Sequence, residues 1–153
     1  MKRTALALLL AAACSGALEG EPATAPVADW SFVSGAEDVA LATQGGRRFR
    51  SVVATPLVHE GDLYLHVSTL FSLDDGALEE LLAGGGLVLR AGGRLYDLRA
   101  IRLTDAREIE RILPTLVREE MNVEASGLRW DPQPARYPGT QLRQWFFRLE
   151  GAP

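Results

Sequence analysis

The stretch from Arg47 to Thr69 constrains the fold more than any other. Arg47 to Val58 is rich in β-branched residues, His59-Glu60-Gly61-Asp62 supplies a charged turn, and Leu63 to Thr69 then alternates strictly. Leu63, Leu65 and Val67 fall on one face, with Tyr64, His66 and Ser68 on the other. A period of two is a strand signature, and two such runs around a short Gly-containing turn predict an antiparallel hairpin. A hairpin with an apolar face must be covered, so the chain has to build a larger sheet around it.

The remaining elements supply that cover. Glu37 to Thr43 alternates before Gln44-Gly45-Gly46, and Leu87–Arg90 with Arg94–Leu103 flank Ala91-Gly92-Gly93 as a second hairpin. Ser72 to Asp75 opens a short helix with Leu78, Leu81 and Leu82 on one face, which Gly84-Gly85-Gly86 ends. Asp105 and Glu108 form a capping box for a helix carrying Ile109, Ile112, Leu113, Leu116 and Val117, in which Pro114 predicts a kink or two abutting helices. The Pro-rich stretch Asp131–Gly139 is a rigid connection, and Thr140 to Leu149 closes the domain as a strand. In that strand Trp145 and Phe147 oppose Phe146, giving an aromatic edge that a partner could use for docking. Together these predict an α+β fold: a small antiparallel β domain with two or three helices.

At the amino end stand Met1-Lys2-Arg3, a short apolar run from Thr4 to Ala13, and Cys14-Ser15-Gly16. This layout resembles a bacterial lipoprotein signal, although Ala11 occupies the place where the lipobox usually has leucine. The resemblance implies a signal peptide over 1–13, lipidation at Cys14, and anchoring in the cell envelope. Ser15, in place of aspartate, implies sorting to the outer membrane, facing the periplasm. The apolar run is about half of the roughly 20 residues a membrane span needs. Ordinary cleavage after Ala13 or Ala17 is the alternative. Residues 14–28, made of Gly, Ala, Pro, Glu, Ser and Thr with little to bury, read as a flexible tether. The folded domain then covers 29–153.

Composition narrows the chemistry. Once the signal is removed the chain has no lysine, and Cys14 is its single cysteine. Schiff-base lysines and thiol nucleophiles are therefore excluded. The net charge of −4 becomes more negative when Lys2 and Arg3 leave, so nucleic acid is not an expected partner. The triple glycine is no phosphate loop, because no Gly-Lys-Ser/Thr follows it. His59, beside Glu60 and Asp62, reads as a solvated turn residue and not a metal ligand. His66 is the candidate for lining a ligand cavity. Asp97 and Arg99 share a strand face and read as an ionic pair, while Glu108, Glu110, Arg111, Arg118, Glu119 and Glu120 read as a solvated helix face.

The hairpin Gly46–Val58 with Gly61–Thr69, together with Arg94–Ala100 and the Asp105 helix, resembles the split-barrel flavin-binding proteins of the pyridoxamine-phosphate-oxidase-like group. That resemblance implies a split-barrel-like fold, with Arg50 and Thr55 on the first strand and Ser68 and Thr69 on the second as candidates to contact FMN. The basic residue that flavin members place after the Ser/Thr step is replaced here by Leu70-Phe71-Ser72-Leu73. Three functional expectations follow. The first is a lipid-anchored binding or accessory module without a catalytic motif. The others are an FMN-dependent oxidoreductase and an envelope assembly lipoprotein.

Overall fold

The computed structural model describes residues 17–69, 75–130, 136–137, 140–141 and 143–152. Strands β1 (Glu21–Pro22), β2 (Ala40–Thr43), β3 (Val53–His59), β4 (Asp62–Thr69), β5 (Leu87–Ala91), β6 (Arg94–Arg102) and β9 (Arg143–Gly151) form one sheet. Its order is β2-β5-β6-β9-β4-β3, antiparallel throughout, with the two-residue β1 added in parallel to the start of β6. The short strands β7 (Arg136–Tyr137) and β8 (Thr140–Gln141) pair only with each other. A 3-10 turn spans Ser31–Gly35, and the α-helices are α1 (Gly76–Leu82) and α2 (Ala106–Met121).

Both predicted hairpins form, and their turns explain why. Glu60 and Gly61 adopt φ of 52° and 83°, and Gly92 and Gly93 adopt 59° and 74°. Two consecutive left-handed residues match the twist of the flanking strands. The first hairpin strand is shorter than its sequence suggests, since residues 47–52 form a loop and pairing begins at Val53. Glu37 to Val39 likewise precede β2, and the closing strand begins its pairing at Arg143.

The sheet curls into a half-barrel. Leu63, Leu65 and Val67 of β4 share one buried cluster with Leu87, Leu89 and Ala91 of β5, although β6 and β9 lie between those strands. Leu98, Phe147, Leu149, Trp30 and the α1 residues Leu78 and Leu81 complete that inner core. On the outer face α2 lays Ile109, Ile112, Leu113 and Leu116 against Leu57, Tyr64 and Phe146. Strand β9 thus sends Phe147 inward and Phe146 outward, as alternation requires. From Phe146 to Leu149 it is hydrogen-bonded on both sides, so no docking edge is open over that stretch.

Pro114 neither splits nor ends α2, which runs for 16 residues. Packing of the apolar stripe outweighs the missing donor. The segment expected to be a tether is docked over its described part. Glu21 and Ala23 donate backbone N–H bonds to the Gly93 and Leu95 carbonyls, and Val27 packs on the inner core. Gly20 allows this approach, because a Cβ there would sit 3.0 Å from the Gly93 oxygen. No helix of the described residues is long and apolar enough to cross a membrane.

Candidate functional site

The strap formed by residues 17–27 and the sheet enclose a cleft of about 1160 Å³. Leu18, Pro22 and Val27 line the strap side, Ala42, Val88 and Leu95 the sheet side, with Trp30 and Tyr96 between. Trp30 is buried and meets Tyr96 edge-on at 5.3 Å between ring centroids, while Phe32 stacks on Trp30 and stays exposed. Polar groups enter from Thr43, Gln44 and Asp97. The cleft is therefore lined by both apolar side chains and polar groups, as small-molecule sites are.

Gln44 and Gly46 of that lining belong to the loop 44–52, which also carries Arg47, Arg48 and Arg50. Two carboxylates hold this loop. Asp75 is 3% exposed, and one of its oxygens accepts the backbone N–H of Arg50 and of Ser51, each at 2.8 Å. The other accepts Ala77 and Leu78 N–H at 3.0 and 3.1 Å, capping α1. Burial alone would raise its pKa, but the four N–H donors outweigh it and hold Asp75 below the ordinary carboxylate range. Glu80 of α1 accepts the Thr43 hydroxyl at 2.9 Å and the Gly45 N–H at 3.0 Å, and lies 3.8 Å from Arg47.

Arg50 is in this loop and not on the strand where the resemblance put it. Thr55 faces His66 across the β3–β4 ladder, and Ser68, two residues on, shares their outer face. Thr69 falls on the inner side and is buried. The four residues proposed for FMN thus occupy a loop and two opposite sheet faces.

His66, expected to line a cavity, is 3% exposed and is not among the residues lining the cleft. Its Nδ1 lies 3.1 Å from Glu120 Oε1 of α2, its Nε2 lies 2.8 Å from Gln144 Oε1 of β9, and its ring rests on Phe146. His59 is not a solvated turn residue either. Its Nδ1 pairs with Thr115 of α2 at 2.8 Å, and its Nε2 is buried without a hydrogen bond, 3.8 Å from Glu60. Among the described residues no group of three His, Cys, Asp or Glu side chains is placed to hold a metal ion.

Two charge readings change as well. Arg99 reaches across to Glu150 of β9 at 2.8 Å instead of pairing with Asp97 on its own strand. That bond, with Arg148 behind it, holds the Glu150 carboxyl below its ordinary range. The expected solvated face of α2 is largely engaged: Glu108 accepts from Arg148, Glu110 from the Trp130 N–H, and Arg111 donates to the Tyr64 hydroxyl at 3.0 Å. Nothing in sequence separated these partners, because each lies on a different element.

Comparison with protein-family models, with curated proteins and with solved structures finds no match to this chain.

Proposed function

We propose that this protein is a lipid-anchored binding module of the cell envelope, built on a split-barrel-like domain and held through Cys14 at the outer membrane, facing the periplasm. The observation that carries the reading is the cleft beneath the strap. At about 1160 Å³ it is large enough for a drug-sized ligand, and the segment closing it leads straight from the anchoring cysteine. Among the described residues the polar groups that line it form no convergent set of nucleophile, base and acid, which favours binding over catalysis.

The flavin-dependent alternative draws on Arg50, an exposed guanidinium of the kind that suits a phosphate. An FMN fluorescence-quenching titration of the mature chain carrying Cys14→Ser separates the two. Binding-module function predicts no saturable quenching, whereas one-to-one quenching at micromolar FMN moves the oxidoreductase reading ahead. Metabolic labelling with an alkyne palmitate, lost in Cys14→Ser, tests the anchor. The strap must be kept in any such preparation, since a chain begun at Asp29 lacks one wall of the cleft.

A further inference from the structure

We infer that the cleft takes an organic amine, a small molecule that sets one ammonium group on Asp97 and lays an apolar body along the sheet beneath the strap. The inference rests on the cleft-binding reading above and names the ligand class.

Among the described residues Asp97 is the only charged one that lines the cleft. Its place is fixed by the sheet. Ala42, Val88 and Asp97 stand side by side on β2, β5 and β6, so their side chains share one face, and all three line the cleft. Leu95, two residues back along β6, shares that face and also lines it. The Asp97 backbone carbonyl accepts the Ala152 N–H at 2.9 Å, which ties this point of β6 on its other side. A carboxylate therefore stands at the end of an apolar row, on backbone held from both sides.

That carboxylate is uncommitted. Asp97 is exposed, and among the described residues no ion pair or side-chain hydrogen bond engages it. The two arginines nearest to it on the same face are engaged elsewhere: Arg99 reaches Glu150 at 2.8 Å, and Arg90 donates to the Asp38 carbonyl at 3.2 Å. The cleft-lining Thr43 hydroxyl is likewise occupied, donating to Glu80 and accepting the Arg47 N–H. A net charge of −4 adds a field that draws cations toward the chain.

The rest of the lining decides between kinds of cation. A divalent metal ion needs several oxygen or nitrogen ligands, and among the described residues no group of three His, Cys, Asp or Glu side chains supplies them. An inorganic monovalent ion would leave Leu18, Val88 and Leu95 unused. An ammonium group on an apolar body uses both parts, with a charge-assisted hydrogen bond at Asp97 and burial against those side chains. The strap closes over this body, since a Cβ on Gly20 would lie 3.1 Å from Leu95 Cγ. Water displaced from Asp97 by the bound body strengthens the ion pair.

The test is calorimetric titration of the mature chain carrying Cys14→Ser with three probes on one skeleton: phenylbutylamine, phenylbutanol and phenylbutyrate. Saturable binding is expected, with the amine about tenfold or more tighter than the alcohol and the carboxylate weakest. Asp97→Asn should bring the amine down to the affinity of the alcohol and leave the alcohol unchanged. Asp97→Ser repeats the comparison, and thermal melts verify that both variants fold. Equal affinity for amine and alcohol, tightest binding of the carboxylate, or an amine preference that survives both substitutions overturns the inference while leaving a cleft that binds small molecules. Failure of all three probes to bind removes the cleft as a binding site and the inference with it, so the two failures are told apart.

Discussion

Removing one oxygen from Asp75 should unlock the arginine loop without destroying the domain. In Asp75→Asn the side-chain carbonyl can still cap α1 through Ala77 and Leu78, but an amide NH2 now faces the N–H groups of Arg50 and Ser51. Two hydrogen bonds to a charged acceptor are lost, nominally about 1.5–3 kcal/mol each. Both donors sit on exposed residues and can turn to water, so a net cost of about 2–3 kcal/mol is expected. Asp75→Ala also loses the cap, adding about 1 kcal/mol. At roughly 4 °C per kcal/mol for a domain of this size, Asp75→Asn should melt about 10 °C lower.

The pH dependence has a definite sign. Because its carboxyl sits below the ordinary range when folded, Asp75 contributes its full stabilisation above the unfolded value, about 3.9. That contribution is lost as the pH falls from there through the folded value. Urea titrations followed by tryptophan fluorescence should show a constant gap between native and Asp75→Asn from pH 7 to 5, closing below about pH 4. Limited trypsin digestion should cut sooner after Arg48 or Arg50 in the variant. No gap at neutral pH, or a gap that persists in acid, would refute this account of the loop.

Other substitutions probe the outer core and the turns. His66→Ala leaves Glu120 and Gln144 unpaired beside a void at Phe146 and should cost about 2–4 kcal/mol in urea unfolding. A cycle with Glu120→Ala should show about 1 kcal/mol of coupling, and strict additivity would mean the pair contributes nothing. Gly61→Val, at a φ of 83°, should lower stability by about 1–2 kcal/mol in thermal melts. Pro114→Ala restores a donor inside α2 and should raise stability by about 1–3 kcal/mol; an unchanged melting point would mean the helix already bends to relieve the proline.

Local pattern carried much of the architecture. Alternation at Leu63–Ser68, the Glu60-Gly61 and Gly92-Gly93 turns, and the capping residues Asp75 and Asp105 each act through neighbours a few residues away, so the sequence displays them directly. The site was harder to read because its parts are distant in the chain. Asp75 meets Arg50 across 25 residues, His66 meets Gln144 across 78, and the strap meets β6 only after the sheet has formed. A low-hydrophobicity stretch such as 17–28 looks like a free tether because its docking uses backbone N–H groups, which every residue except proline possesses.

The two cores also divide the molecule by how it comes apart. Strands β4 and β9 carry buried side chains on both faces, the inner core on one side and α2 on the other, while β3 buries Leu57 under α2 and lays partly buried Ala54 and Val58 on the inner core. β2 lies at the opposite edge, and β1 is only two residues long, paired to the start of β6. Opening therefore proceeds from the thinly covered side, where the strap and β2 exchange their amides first and β4 and β9 last. The cleft can be widened by sub-global fluctuations that leave the Tyr64–Phe146 core intact, so movement of the strap and global unfolding draw on separate parts of the chain.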